Sequence, residues 1–119
     1  MLKYHKFTLG FAWVFEYGCS DDPEQFKNLL KLSPLHNVKV PENSGQYPAM
    51  FLLTADHDDR VVPLHSLKHI ATLQHTLGNS PQQTNPLLIK INFKAGHGKG
   101  KPILKMVSHT LYYMSYITL

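Results

Sequence analysis

The chain has 119 residues, of which 43% are hydrophobic and 17% are charged, and its formal net charge is +4. This length allows one domain with a modest core, and the composition excludes an intrinsically disordered chain. Because basic and acidic residues are interspersed without a Lys/Arg block, we expect no nucleic-acid partner. A single cysteine, Cys19, excludes an internal disulfide framework and fits a reducing, cytoplasmic setting.

The first segment loosely resembles a secretory signal, because Lys3, His5 and Lys6 precede the mostly apolar stretch FTLGFAWVF. The apolar run is short and aromatic, Glu16 follows it, and it lacks a small-residue cleavage site. We therefore interpret this segment as part of the domain. No apolar stretch of the sequence is long enough to span a bilayer, and we expect no membrane association.

The next segments alternate between helical and extended patterns. SDDPEQFKNLLKL (20–32) predicts a helix, since it starts with a serine or aspartate cap, has an early proline and spaces its apolar residues at helical intervals. Residues 33–48 are rich in proline, asparagine, serine and glycine, and predict an irregular connection. AMFLLTA (49–55) is a continuous apolar run, typical of a strand that is buried on both faces of a parallel sheet.

The second half of the chain repeats this alternation. PLHSLKHIATLQHTLG (63–78) predicts a helix that stops at its glycine. LLIKINF (87–93) predicts a second strand, KAGHGKGKP a glycine-rich turn, and the tail from Pro102 a final helix. The order helix, strand, helix, strand, helix predicts an α/β fold with parallel strands and crossover helices. The apolar face of the middle helix is expected to comprise Leu64, Leu67, Ile70, Ala71, Leu73 and Leu77.

Titratable side chains follow both predicted strands, at the sheet edge where parallel α/β folds bind ligands. Asp58 follows the first strand and His97 the second, so parallel neighbouring strands would bring them side by side. A carboxylate can fix the tautomer of an imidazole and stabilise its cation, which predicts an orienting acid and a general base. The order also fits α/β-hydrolases, in which the acid precedes the histidine. A second interpretation stays open, in which Asp58 only caps the next helix and His97 is a surface loop residue.

Two further groups of residues have simpler interpretations. His65 and His69 lie four residues apart on the predicted helix, so both could face one metal ion. No glutamate-bearing zinc motif surrounds them, and helix surfaces often carry histidines. We therefore interpret the pair as solvated and predict no metal site. We interpret Cys19 as structural, because no base lies beside it in the sequence.

Several long segments resemble one family of serine peptidases. QYPAMFLLTADHDDRVVPLHSLKHIATLQ and NPLLIKINFKAGHGKGKP are similar to the C-terminal part of the catalytic domain of the prolyl oligopeptidase family. FTLGFAWVFEYGCSD and SPLHNVK resemble the segments that precede them there. The resemblance covers about residues 3–105. It implies the C-terminal portion of an α/β-hydrolase fold over residues 1–119, with an incomplete sheet.

The resemblance also implies roles for individual residues. Asp58 would be the aspartate of the catalytic triad, and His97, in AGHG, its general base. Arg60 would hydrogen-bond the bound peptide, a task that suits a guanidinium because it offers several fixed donors. Trp13 would stack its indole on the substrate proline ring. Tyr17, Leu9 and Val61 would form other walls of the pocket. The sequence pattern alone would make Trp13 and Tyr17 ordinary core aromatics.

The implied function is that of a serine-type endopeptidase that hydrolyses peptide bonds after proline in short peptides, without a cofactor. The family's serine nucleophile sits in an upstream G-x-S-x-G elbow, and the sequence has no such pattern. We therefore expect the chain to be a C-terminal fragment that is inactive alone. Two alternatives stay open: another α/β-hydrolase such as an esterase, and a non-catalytic fragment that associates with itself or with a longer copy through an exposed sheet edge.

Overall fold

The computed structural model describes residues 1–42 and 45–98, together with positions 103, 104, 107, 108, 110, 111 and 114. Its centre is a pair of parallel strands, β1 (Met50–Ala55) and β2 (Leu87–Asn92), connected through a helix. The final helix predicted from Pro102 onward lies largely outside the described residues, although the described positions between 103 and 114 are helical. The predicted strand, helix, strand order with parallel pairing is confirmed.

The connecting helix, α3 (Leu64–Leu77), packs on the sheet and forms the core with it. Ile70, Leu73 and Leu77 are buried against Leu87 of β2. The other apolar residues expected on the same face are exposed instead: Leu64, Leu67 and Ala71. At about 100° of rotation per residue, the six positions span one continuous arc of about 180°, and only the half with Ile70, Leu73 and Leu77 is buried. The predicted apolar face is therefore present, but only half of it is covered.

Strand β1 is less buried than a strand covered on both faces. Thr54 and Ala55 at its end are buried, whereas Leu53 is exposed. Side chains of a strand alternate between the two faces of the sheet, and Leu52 packs on the α3 core while its neighbour Leu53 faces the other way. The expectation of burial on both faces was wrong, because α3 covers one face of the pair.

The N-terminal segment is a series of short helices that lies beside this unit. Two 3₁₀ helices, Tyr4–Lys6 and Thr8–Trp13, lead into a single α-turn, α1 (Val14–Tyr17). The helix predicted over 20–32 is confirmed as α2 (Pro23–Leu32), followed by a 3₁₀ turn at Pro34–His36. None of the helices in the described ranges has the length and apolar character needed to cross a membrane.

The sequence signals at the start of α2 act as expected. The carboxylate of Asp22 accepts hydrogen bonds from the backbone N–H groups of Glu24 and Gln25, each at 2.9 Å. Pro23 occupies the first helical position, where the missing N–H costs no intrahelical bond. Leu29 is buried on the inner side of the helix.

Candidate active site

The loops that follow β1 and β2 are joined by Asp56, the first residue after β1. Its carboxylate accepts the backbone N–H of Lys94 at 3.0 Å and that of Ala95 at 3.2 Å. In the same place the backbone N–H of His57 donates to the Ala95 carbonyl at 3.1 Å. These bonds hold the loop that carries His97 against the loop that carries Asp58.

Asp58 and His97 meet where these loops join. Nδ1 of the imidazole lies 2.9 Å from each carboxylate oxygen. The Asp58 side chain is only 10% exposed, whereas that of His97 is 41% exposed. Because a carboxylate can only accept, Nδ1 carries the proton in this contact, and Nε2 of the neutral ring is left with its lone pair. A buried acid therefore orients an accessible base.

The Asp58 carboxylate is held in its ionised form by its hydrogen bonds. Burial is the largest single influence and by itself raises the pKa. The backbone N–H of Val61 at 2.8 Å, the His97 ring and the backbone N–H of Arg60 at 3.0 Å together outweigh it. The net result is a pKa of Asp58 below its ordinary value.

This geometry bears on the second interpretation that the sequence left open. Asp58 does cap backbone N–H groups, but they belong to the turn at Arg60 and Val61. Helix α3 begins later, at Leu64, and has no side-chain cap. His97 lies on an exposed loop, yet its ring is fixed by the carboxylate. The capping and orienting contacts of Asp58 thus coexist in one residue.

Two cavities open beside this pair. The first, the aromatic cavity, has a volume of about 410 Å³ and is lined by Trp13, Tyr17, Arg60 and Val61 among others. The second, the His97 cavity, measures about 760 Å³ and has Leu9, Arg60 and His97 in its lining. Thr8 and Arg60 line both cavities, which are therefore adjacent. The seven residues singled out in the sequence all lie at or beside these two spaces.

The wall of the aromatic cavity is held by hydrogen bonds of residues that the sequence did not single out. The Tyr4 hydroxyl donates to the Gly18 carbonyl at 2.6 Å and lies 3.3 Å from the Trp13 carbonyl. The Tyr4 and Tyr17 rings meet edge to face, with centroids 6.2 Å apart. The Thr8 hydroxyl donates to the Arg60 carbonyl at 3.0 Å and ties this wall to the Asp58 loop.

Unlike the buried Tyr4, the other two aromatic residues named in this wall are not core residues. Trp13 is half-buried and Tyr17 is 49% exposed. Their rings are available to a ligand in the cavity, which an apolar core would not allow.

The pair of α3 histidines that the sequence singled out is not solvated as predicted. His65 and His69 are half-buried, and His65 packs edge to face on Phe7 at 5.7 Å between ring centroids. Burial is the main cause that lowers the pKa of each imidazole. The sequence interpretation failed because the N-terminal segment packs over this side of α3.

Asp56 is the site residue that sequence reasoning missed. In ADHDDR three carboxylates follow the strand closely, and local sequence does not say which faces the second loop. His57 lies 2.8 Å from Asp56 through its Nδ1 and is the main cause that lowers the pKa of this carboxyl, with the Lys94 N–H next. A carboxylate directly after a strand, opposite a glycine loop, is the signal that could have indicated it.

The comparison with known proteins bears directly on this arrangement. A sequence model of the prolyl oligopeptidase family matches residues 1–117. The chain belongs to the prolyl oligopeptidase family. The resemblance inferred from the sequence motifs is thereby confirmed.

Curated members of the prolyl oligopeptidase family share about half of the matched residues. Prolyl oligopeptidase A of Galerina marginata is 54% identical over 101 residues, which cover 85% of this chain and 13% of that protein. The prolyl endopeptidase of Dictyostelium discoideum is 50% identical over 105 residues, covering 88% of this chain and 13% of its own. The chain thus spans about an eighth of these relatives' length.

Solved structures of the family superpose on nearly the whole chain. Prolyl oligopeptidase B from Galerina marginata, bound to a 35mer hydrolysis and macrocyclization substrate, matches with a TM-score of 0.86 and 46% identity, over 98% of this chain and 16% of that one. A structure from a study of two prolyl endopeptidases matches with a TM-score of 0.84 and 38% identity, with the same coverage. The predicted fold class, a part of the α/β-hydrolase fold, is confirmed.

Proposed function

We propose that the chain supplies the acid, the base and one wall of the substrate pocket of a serine-type prolyl endopeptidase. The observation that carries this proposal is the bidentate contact of Asp58 with His97 Nδ1, at 2.9 Å from both oxygens, beside a cavity walled by Trp13. The names of the relatives, prolyl oligopeptidases and prolyl endopeptidases, support the reaction class. The substrate would be a short peptide cleaved after proline.

In this mechanism His97 acts as general base through Nε2. It takes the proton of an attacking serine hydroxyl and returns it to the leaving amine. Asp58 keeps the imidazole in the Nδ1–H tautomer and stabilises the cation that forms. The lowered pKa of Asp58 supports this role, because only the ionised carboxylate can both fix the tautomer and stabilise the imidazolium cation.

The substrate proline would enter the aromatic cavity. A flat pyrrolidine ring stacks well on the Trp13 indole, and Tyr17 and Val61 would bound it on other sides. Arg60 lines both cavities and would donate to a peptide carbonyl between the proline site and His97. Leu9 would contact the peptide on the His97 side. An esterase has no need of such a proline wall, and this favours the peptidase over the alternative hydrolase.

The nucleophile would come from polypeptide outside this sequence. Within the described residues, neither cavity has a serine in its lining. We propose that residues 1–119 correspond to the C-terminal part of the catalytic domain, with the serine elbow on the preceding part. Large apolar side chains are exposed on this chain. The preceding part of the catalytic domain, or a second copy of the chain, would pack against them; examples are Phe11, Phe15, Leu32 and Phe93. The single cysteine supports a cytoplasmic location.

Binding of the substrate can be tested on the chain itself, because Trp13 is its only tryptophan. Titration with acetyl-Gly-Pro is expected to change the Trp13 fluorescence, whereas acetyl-Gly-Ala at equal concentration is not. The Arg60→Ala variant should weaken the response to the proline peptide. Equal responses to both peptides would contradict the proposed proline pocket.

Catalysis requires a reconstitution experiment. The chain would be combined with the upstream remainder of the Dictyostelium discoideum prolyl endopeptidase, which we expect to supply the serine elbow. A fluorophosphonate probe should label the mixture but not the chain alone, as read by intact-mass spectrometry. The adduct should disappear with His97→Ala. Labelling of the isolated chain that depends on His97 would show that one of its own serines is the nucleophile, and the proposal of an external one would fail.

A further inference from the structure

A cluster of three metal-ligating side chains lies away from the two cavities. His5, in the first 3₁₀ helix, approaches Cys19 and Asp21, in the turn before α2, so that one donor atom of each lies within 4.8 Å of the others. None of the three lines the aromatic cavity or the His97 cavity. Sequence reasoning saw no base beside Cys19 because His5 is distant along the chain.

The imidazole of His5 is the feature that points to a ligand. Its side chain is only 9% exposed. Nδ1 is buried and has no hydrogen-bond partner among the described residues. Its Nε2 makes one long contact, 3.3 Å from Asp21 Oδ2. Nε2 is therefore the ring nitrogen that faces the cluster, and one long contact with an exposed carboxylate satisfies it poorly, which leaves it available to a metal ion.

The local hydrogen bonds of Cys19 involve its backbone and not its thiol. The backbone N–H of Cys19 donates to the side-chain carbonyl of Gln25 at 2.6 Å, and its carbonyl accepts from Asp22 N–H at 3.2 Å. These bonds hold the turn through its backbone. The sulfur belongs to no disulfide, so the thiol is available to a ligand.

We propose that His5, Cys19 and Asp21 form a Zn²⁺ site. Thiolate, imidazole and carboxylate are the three ligand types that zinc takes in proteins, and a water molecule would complete four-coordination. This proposal is independent of the peptidase function and differs from the His65–His69 pair for which the sequence predicted no metal. It revises the expectation that the chain has no metal site.

The donor atoms need only a small adjustment to bind the ion. Zinc bonds of about 2.0–2.3 Å place ligand atoms roughly 3.5 Å apart in a tetrahedral site. Asp21 is 61% exposed and can rotate toward the others, while His5 is fixed by its burial. On binding, the Cys19 thiol gives its proton to solvent, and the three protein ligands displace all but one of the water molecules of the hydrated ion.

Lys6 is the group that competes with the metal. Its ammonium lies 2.9 Å from Asp21 Oδ1, and both side chains are at least half exposed. An exposed ion pair of this kind is weak, so the lysine side chain can move into solvent when a divalent ion arrives. The proposal therefore predicts that removal of the lysine charge strengthens metal binding.

The experiment is a titration of the purified, reduced chain with Co²⁺ as a spectroscopic substitute for Zn²⁺. One Co²⁺ per chain should produce the near-ultraviolet thiolate-to-cobalt absorption band, and Zn²⁺ should abolish it. Cys19→Ser should remove the band. His5→Gln should weaken affinity by at least about tenfold, since even partners of metal ligands have effects of this size. Lys6→Gln should tighten it, and the exposed His75→Gln should change nothing.

A second measurement needs no variant. Cys19 is the only thiol, so its reaction with an aromatic disulfide reagent reports on this site alone. Stoichiometric Zn²⁺ should slow this reaction, and a chelator should restore it. The proposal fails if no thiolate band forms, if Zn²⁺ leaves the thiol reactivity unchanged, or if His5→Gln binds as tightly as the wild-type chain.

Discussion

Both carboxylate oxygens of Asp58 lie 2.9 Å from Nδ1 of His97, although 39 residues separate the two in the sequence. The parallel register of β1 and β2 brings the loops together, and two backbone N–H groups fix the carboxylate from the other side. The acid is thus held in place by its own turn, and the imidazole adapts to it.

Asp58→Asn should disturb the tautomer of His97. The amide can present its NH₂ group to Nδ1, which then accepts and shifts the ring proton to Nε2. Long-range ¹H–¹⁵N spectra of histidine-labelled chain should show the Nδ1–H tautomer in the wild type and its loss in the variant. In the reconstituted enzyme kcat should fall by about 10⁴-fold. Asp59→Asn, which changes an exposed neighbouring carboxylate, should leave the tautomer as it is; an unchanged tautomer in Asp58→Asn would contradict the prediction.

Asp56→Ala should release the loop that carries His97. The substitution removes the acceptor of the Lys94 and Ala95 N–H groups, at 3.0 and 3.2 Å. Hydrogen exchange at these two amides should become several-fold faster, while exchange in the core of α3 stays slow. Asp59→Ala serves as the matched control. Equal protection of both amides in the two variants would show that Asp56 does not hold this loop.

The stability of the chain should fall in acid because of Asp56 and Asp58. Both carboxyls have a pKa below the ordinary value, Asp56 chiefly through His57, and Asp58 through hydrogen bonds that outweigh the opposing effect of its burial. A lowered folded-state pKa adds stability above the unfolded value of about 4, and this stability is lost as the pH falls toward the folded value. The free energy of unfolding in urea should therefore decrease below about pH 4. In the Asp56→Asn, Asp58→Asn double variant the decrease should be shallower; a parallel pH profile would refute this assignment.

Leu73→Ala should destabilise the core far more than Leu67→Ala on the same helix. Leu73 is fully buried and Leu67 is 39% exposed. The buried truncation should cost about 2–5 kcal/mol and the exposed one less than about 1 kcal/mol. The two denaturation midpoints in urea provide the comparison. Equal shifts would mean that the part of the apolar face with Leu67 is also covered in solution.

Gly10→Ala should distort the wall of the aromatic cavity. A Cβ atom at this position would lie 1.9 Å from the Tyr4 carbonyl oxygen, so the backbone has to move. The move would propagate to Trp13 at the end of the same 3₁₀ helix and change its fluorescence. Gly96→Ala is the control, because its Cβ would meet only the His57 carbonyl at 3.7 Å. Identical spectra for both variants would oppose this view of the wall.

Local sequence signals were sufficient for α2, α3 and the two strands, but not for the short helices of the N-terminal segment. The Asp22 cap with Pro23 marked the start of α2, an unbroken apolar run marked β1, and a mixed apolar pattern marked β2. These features depend on neighbours within a few residues, which is why they can be read without the fold. The burial of β1 and the orientation of α3 could not be read this way, because they depend on which surfaces other elements cover.

The sequence by itself determined the family, the parallel α/β unit and the candidate pair Asp58 and His97, because long motifs and strand ends are local patterns. Only the tertiary structure gave Asp56 a role and showed the contact between Asp58 and His97 directly. It assigned the loop contact to Asp56 and the imidazole contact to Asp58, and it brought His5 to Cys19 and Asp21. These contacts join segments distant along the chain, and the distance between such segments is set by packing and strand register rather than by the residues beside each one.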